Sequence, residues 1–544
     1  VPQTRPSRPD VLRVVSLFSG IGGLDSGLEL AGHEVIEMCE SWEPARRVLA
    51  EHYPDVPIAQ DVQSYTPGME YDVLAAGFPC TDLSHAGGRT GIFGKSSGLV
   101  EHVFRIAEQT RPRWILLENV PNLLGLHSGA GMDHVIGELE RLGYRWAYRT
   151  VDARFTGVPQ RRPRVIILAS PTADPSRVLL CEDAGAPAAP TDPDTAGFYW
   201  TEGRTGLGLV EDAIPTLKGG STLGLPSAPA IWFRDRDRGH RLALPGIEDG
   251  EALQGLPRGW TAPAVVPDEP DLRWKLIGNA VPVGVGRWLG EALARHGRTA
   301  EQHCPVPHDG TVITRGKKWP QAGWGQDGTG YRSQVSQWPR REDMNPLAAV
   351  VRSPAPMSFR AAAGFLSRVE EAGRDIPDEF RRDVEDHLRL LRPRPKPSWA
   401  SSPGSRRRMQ KQKRANTKPE LALRSLLHRD GLRYRLQVRP SPELRQRVDI
   451  AFMKEKVAVD VRGCFWHACP EHGTAPKANA QRWAEKLQRN VDRDERTRLT
   501  LTELGWEVMV VWEHEDPAVA ATRIAEAVRS RRGAQEVATH PVAS

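Results

Sequence analysis

The sequence predicts a chain of two α/β units, on three observations. An apolar run, Leu12 to Phe18, passes through the glycine turn Ser19-Gly20-Ile21-Gly22-Gly23 into a segment with Leu24, Leu28 and Leu30. Strand, glycine turn and helix in that order let a cofactor approach the backbone at the edge of an open sheet. Two further apolar runs stop at residues with chemistry of their own, Cys80 and Glu118. A stiff proline-rich stretch, 392–405, then separates these from a second half with its own pair of strand-like runs.

At 544 residues the chain has room for about three or four domains. A formal charge of +6, with Lys and Arg crowded into particular stretches, suits a polyanionic partner. Six cysteines in so long a chain do not suggest a disulfide framework. With no apolar span of membrane length and no signal peptide, the expectation is a reduced, cytoplasmic protein. The opening 1–10, rich in Pro and Arg, is expected to be a disordered arm.

The strand His33 to Cys39 closes on Glu40, where an acid can bind ribose hydroxyls. Asp61-Val62 closes the next short extended piece, with a plain surface turn as the alternative. Tyr71 to Ala76 reads as a buried strand that stops at Gly77-Phe78-Pro79-Cys80. Proline allows no further ladder bond, so Cys80 is presented at the strand's end. It is a candidate nucleophile there, although a buried free cysteine is the commoner occupant. Arg113 to Leu117 is another buried run, ending in Glu118-Asn119-Val120-Pro121. Arg164 to Ala169 follows Gln160-Arg161-Arg162-Pro163, a basic cluster that would ordinarily be a solvated edge. Beside Cys80 and Glu118 it completes a nucleophile, an acid and an anion or base clamp on one rim. Between 171 and 240 periodicity lapses into Gly, Pro and Thr, and a loop-rich or small β region is expected. Val281 to Ala294 reads as a helix returning to the first strand.

In order along the chain, Phe18-Ser19-Gly20-Ile21-Gly22-Gly23, Gly77-Phe78-Pro79-Cys80, Glu118-Asn119-Val120, Gln160-x-Arg162-x-Arg164 and Gly278-Asn279-Ala280-Val281-Pro282 resemble the motifs of the DNA cytosine-5 methyltransferases. The resemblance covers about residues 11–295 and implies, for a domain over 11–298, a Rossmann-like, S-adenosylmethionine-dependent fold with a target-recognition insert at 171–240. It implies that Cys80 attacks carbon 6 of cytosine, that Glu118 holds the ring's nitrogen 3, and that Arg162 and Arg164 hold the Cys80 loop and the target. The cofactor would rest on Phe18, Gly20, Gly22 and Gly23, with Glu40 at its ribose, Asp61 and Val62 at its adenine, and Asn279 and Val281 completing the pocket. Thr81 to Gly98 is expected to close over a base flipped from the duplex. Trp42, two residues past Glu40, departs from the family pattern and either stacks on adenine or fills core.

Residues 299–391 hold Gly- and Trp-containing turns and two amphipathic helices, Arg360 to Val369 and Asp378 to Leu391, expected as an accessory extension. After the linker come Arg406-Arg407-Arg408, Lys411, Lys413 and Arg414, either a solvated charge run or a clamp on DNA. Glu420 to His428 reads as a helix, and Val448 to Phe452 with Val457 to Val461 as a hairpin around Met453-Lys454-Glu455-Lys456. That turn places Asp449 opposite Asp460, roughly 5 Å apart on one face, a hard oxygen site suited to magnesium. Asp449, Asp460 and Val461 are the magnesium candidates; a slipped register with both acids in solvent is the alternative. Cys464, Cys469 and His472 have zinc-ligand spacing, with His514 as a fourth ligand for a structural zinc.

The second domain is expected over 406–535, and over about residues 406–516, through Glu420, Asp449, Gly463 to His467, Trp483, Asn490, Arg493-Asp494, Gly505-Trp506 and Trp512-Glu513, it resembles the very-short-patch mismatch repair endonucleases. The resemblance implies a restriction-endonuclease-like fold that nicks beside a thymine mispaired with guanine. Asp449 would hold magnesium, His467 act as base, Glu420 support the site, and Phe465, Trp466 and Trp483 wedge between bases. Asp460 and Arg462 depart from that family's pattern toward a general restriction nuclease. The expected function is methylation of a specific double-stranded DNA site, with repair of the mismatches that 5-methylcytosine deamination creates. The alternatives are a self-contained restriction-modification protein and a second half that only binds DNA. Other restriction or repair proteins are expected partners, and the nucleoid is the expected location.

Overall fold

The computed structural model describes residues 11–78, 97–202, 206–220, 229–235, 240–298, 306–326, 328–392, 417–441, 446–474 and 479–539. The expected arm at 1–10, the linker from 393 on, the basic run at 406–414, and Cys80 with 81–96 of its loop lie outside them. The chain forms two compact units, 1–393 and 394–544.

In the first unit, β1 (Arg13–Leu17), β2 (Glu34–Cys39), β3 (Ile58–Ala59), β4 (Val73–Ala76) and β5 (Trp114–Asn119) are mutually parallel. Val14, Leu17, Leu74, Ile115 and Leu116 are fully buried, because a parallel sheet is covered on both faces. β6 (Arg145–Asp152) and β8 (Pro163–Ser170) extend this sheet antiparallel, while β7 (Gln160–Arg161) pairs outside it. Helix Gly23–Leu30 lies against helix Val283–Arg298 at backbone distance. A Cβ on Gly27 would meet the Val283 carbonyl at 2.3 Å, so only glycine permits this approach. That packing brings Asn279 and Val281 to the glycine turn that follows β1.

A second sheet is built from β9 (Thr195–Phe198), β10 (Val210–Glu211), β12 (Ala230–Phe233) and β13 (Leu242–Leu244), with β11 (Ile214–Pro215) pairing β7 instead. It realises the small β region expected between 171 and 240. Residues 299–391, expected as one accessory extension, divide between the two sheets. β14 (His308–Val312), β15 (Ala322–Gln326) and β16 (Thr329–Ser333) widen the main sheet to ten strands through β15 and β6. β17 (Ala355–Pro356) joins the small sheet, and helices Phe359–Glu371 and Asp378–Leu390 cover it. Phe198, Phe365 and Phe380 form an aromatic cluster there, and Trp232 donates to Asp383 at 2.8 Å. These helices therefore supply half of a core that the 171–240 region cannot close alone. Cys181 is disulfide-bonded, against the expectation of a wholly reduced chain.

The second unit is a four-stranded sheet in the order β18 (Arg435–Val438), β19 (Val448–Phe452), β20 (Val457–Arg462), β21 (Glu507–Trp512). Helices Lys418–Arg429 and Pro517–Thr539 pack on it through Leu423, Leu427, Ile524 and Val528, and helix Ala480–Glu503 contributes Leu501 to a second cluster. The hairpin register is the one counted from the sequence: Ile450 opposes Val459, Ala451 opposes Ala458 and Phe452 opposes Val457. Among the described residues no helix is long and apolar enough to cross a membrane.

Candidate active sites

At the carboxyl end of β1 the chain turns sharply: Phe18, Gly20 and Gly22 all have positive φ, 56°, 58° and 80°. For phenylalanine that conformation costs roughly 1–3 kcal/mol, a strain expected where backbone must face a ligand. Phe18, Gly20, Gly23, Asn279 and Val281 wall one cavity together with Gly77 and Glu118. The predicted cofactor residues from both ends of the domain thus meet the predicted acid. Glu40 lies at the turn itself, accepting from the amides of Gly20 at 2.8 Å and Trp42 at 2.7 Å. Burial pushes its carboxyl up from the ordinary value, against those two amides. Val62 is buried and Asp61 exposed, and Arg105 donates to the Val62 carbonyl at 2.9 Å. Trp42 packs beside a small cluster with Ile21 and Leu276, and the Lys275 ammonium stands 4.8 Å from its ring. The cavity fits S-adenosylmethionine in its glycine-lined wall and in an unpaired buried carboxylate, that of Asp25.

Glu118, near the end of β5, pairs with Arg164 at 2.7 Å, and both side chains are about nine-tenths buried. Asn119 donates to the Phe78 carbonyl at 3.2 Å, which fastens the strand end from which Cys80 departs. Cys80 itself lies outside the described residues. Arg162 differs from expectation. It was expected to hold the Cys80 loop and the target, yet its guanidinium is fully buried and donates to the carbonyls of Leu217, Gly278 and Ala280 at 2.8, 2.9 and 2.7 Å. Burial pushes its pKa down, and neighbouring Arg164 adds to this. A fully buried cation needs the densest available set of acceptors, and here the backbone of two converging loops supplies them to both terminal nitrogens, though not to Nε. Gln160 does similar work, accepting from the Leu217 amide at 3.0 Å and donating to the Leu253 carbonyl at 2.9 Å.

In the second unit Asp449, Asp460, Val461 and His467 wall one cavity with Gln437, Arg462, Arg493 and Asp494. Asp449 accepts from Gln437 Nε2 and from the Val461 amide, both at 2.8 Å. Its carboxylate thus occupies the amide just where the β19–β20 ladder ends. Burial pushes its carboxyl up to about 6, with Asp460 and Glu420 adding and the two donors opposing. Such an electron-rich pocket fits a divalent cation. Asp460 already has a partner, Arg462 Nε at 2.8 Å. Glu420 is buried and forms a capping box with Thr417 on its own helix. His467 Nδ1 meets the Asp494 carboxylate, which Arg493 also holds at 2.8 Å. Burial alone would raise Asp494, but His467 and Arg493 hold it below the usual range. Sequence reading gave Asp494 no role, since only folding brings helix Ala480–Glu503 to His467. Phe465, Trp466 and Trp483 form an aromatic cluster with ring centroids 5.1–5.7 Å apart, and Lys486 stands over two of them.

The ligand atoms of Cys464, Cys469, His472 and His514 all lie within 4.8 Å of one another. His514 Nδ1 is 3.1 Å from the Cys464 sulfur and 3.8 Å from that of Cys469. Two thiols and two imidazoles at this spacing fit one tetrahedral zinc.

Residues 12–179 match the family model described as C-5 cytosine-specific DNA methylase, and residues 402–471 match DNA mismatch endonuclease Vsr. The chain is 40% identical over 389 residues to the type II methyltransferase M2.BsuMI of Bacillus subtilis, covering 69% of this chain and 97% of that protein. It is 26% identical over 313 residues to the type II methyltransferase M.MspI of Moraxella sp, covering 54% of this chain and 73% of that protein. Over 122 residues it is 48% identical to the type II nicking enzyme V.NaeI of Lentzea aerocolonigenes, covering 22% of this chain and 74% of that protein. The chain therefore belongs to the C-5 cytosine-specific DNA methylases and carries, in its second half, a Vsr-type DNA mismatch endonuclease domain.

Proposed function

We propose that the first unit methylates a cytosine flipped out of duplex DNA and that the second nicks DNA at the thymine-guanine mismatches left when 5-methylcytosine deaminates. The observation that carries this reading is the joining, in one chain, of a methylase site and a nuclease pocket with an oriented histidine. Carbon 5 of cytosine is a poor nucleophile, so the Cys80 thiolate adds first at carbon 6. Glu118 binds the ring at nitrogen 3, while Arg164 holds the Glu118 carboxylate in place. S-adenosylmethionine, when bound, supplies the methyl group. Loss of the carbon 5 proton then allows the thiolate to leave. Arg162 braces the wall of the pocket by joining Leu217 to Gly278 and Ala280. In the nuclease pocket, Asp449 would hold magnesium, which would offset charge on the scissile phosphate. His467, oriented by Asp494, takes a proton from the attacking water. Cys464, Cys469, His472 and His514 would hold a structural zinc.

A second reading, cleavage of unmodified matched DNA, is favoured by Asp460, which shares the wall of the Asp449 cavity. One experiment separates the readings. The full chain is incubated with matched methylated, matched unmethylated and thymine-guanine mismatched duplexes of one target. Nicking confined to the mismatch supports repair; cleavage confined to unmethylated DNA supports restriction. No cleavage of any duplex would reduce the second unit to a binding module. Asp460→Ala refines the result: a loss close to that of Asp449→Ala is expected only if the two acids share one ion.

A further inference from the structure

The cofactor cavity contains an ionisable group that the methyl-transfer chemistry does not use. Asp25 stands in the first turn of helix Gly23–Leu30 and in the wall of the cavity. It is 0% exposed, and neither carboxylate oxygen has a hydrogen-bond partner. Acids are common in a helix's first turn, where the dipole favours them, but they ordinarily stand in water. A buried carboxylate without a donor is costly unless a partner arrives. The groups facing it do not supply a charged one. The Ser16 hydroxyl on β1, which accepts from Ser19 Oγ at 3.0 Å, is a neutral donor that offsets the burial only in part. The Tyr53 hydroxyl is engaged with Ser26 at 2.8 Å. Glu29, on the same helix, and Glu118, on another wall of the cavity, are acids. Burial accordingly drives the Asp25 carboxyl up to about 7, with the Ser16 hydroxyl opposing and Glu29 adding.

We propose that Asp25 recognises the α-ammonium group of the cofactor's methionine moiety. S-adenosylmethionine brings two positive centres to this cavity. The sulfonium has no N–H to donate, whereas the ammonium has three donors, so it matches two unsatisfied acceptor oxygens. Asp25 releases its proton to solvent as the ion pair forms, and cofactor binding is thereby linked to pH. The inference rests on S-adenosylmethionine being the cofactor of the first unit.

The test is calorimetric titration of the full chain, wild type and Asp25→Asn, at pH 6 and pH 8. Two probes are used: S-adenosylhomocysteine, which keeps the ammonium but lacks the sulfonium charge, and 5′-methylthioadenosine, which lacks both. Asp25→Asn is expected to weaken S-adenosylhomocysteine by about 10- to 100-fold and methylthioadenosine by less than about 3-fold. In the wild type, S-adenosylhomocysteine binds more tightly at pH 8, with proton release visible as a dependence of the heat on buffer. Equal losses for both probes, or unchanged S-adenosylhomocysteine affinity, would overturn the proposal. Should the variant not fold, the wild-type arm decides alone, since absence of both proton release and pH dependence is equally fatal. A wild-type protein that binds neither probe would instead refute the cofactor assignment.

Discussion

Replacing Arg164 with Met should destabilise the first unit because it leaves Glu118 charged and alone in a largely buried site. The two side chains pair at 2.7 Å and retain only 9% and 11% exposure. Removing one partner of such a pair costs about 3–5 kcal/mol, most of it the desolvation of the remaining charge. Glu118→Gln removes the charge but keeps the shape, so adding it to Arg164→Met should recover about 1–3 kcal/mol. A unit of this size shifts by roughly 1–2 °C per kcal/mol, which puts the Arg164→Met decrease at about 3–10 °C. Scanning calorimetry of the full chain measures it, the first unit's transition being the one that S-adenosylhomocysteine raises. Methyl transfer supplies the second readout: Glu118→Gln should lose about two to three orders of magnitude in rate, as for removal of a charge-stabilising group. The reasoning is refuted if Arg164→Met melts at the wild-type temperature, or if the double variant melts no higher than the single one.

Three further outcomes are expected. In the cofactor-free protein the Asp25 carboxyl titrates near 7 in the fold against an ordinary 3.8. Its folded pKa is raised, so its contribution is fully present below about pH 4 and is lost as pH rises to 7; denaturant titrations should show wild type losing up to about 4 kcal/mol relative to Asp25→Asn across that window. Stripping zinc with a chelator should melt the second unit at a lower temperature and leave the first unchanged, because a structural zinc contributes folding free energy directly; identical melting of the second unit with and without metal would exclude the site. Asp494→Asn should slow nicking by about 10- to 100-fold with little change in DNA affinity, since it frees the His467 ring from its orienting carboxylate; a loss of binding equal to the loss of rate would count against orientation.

The strands β1, β4, β5 and β8 were legible to within about two residues because a parallel or central strand needs an uninterrupted apolar run, and glycine or proline marks its end. The β19–β20 register was legible too, since a four-residue turn leaves one pairing that keeps Ile450, Phe452, Val457 and Val459 in the core. The grouping of Cys464, Cys469, His472 and His514 was visible in residue types and spacing, three of its members being within nine residues of one another. What the sequence by itself determined was therefore local: which segments are buried, where they stop, and which reactive residue stands at each stop. The division of 299–391 between two sheets was not local, because the small sheet lacks a cover until the helices of Phe365 and Phe380 return to it. Nor were the partners of Arg162, since any arginine beside a strand end reads as a surface clamp until folding buries it among three carbonyls. Asp25 and Asp494 followed the same rule. In the sequence Asp25 looks like an ordinary helix acid and Asp494 is one residue of a matching motif without a role, and only tertiary packing, by removing water from one and bringing His467 to the other, decides what its charge can do.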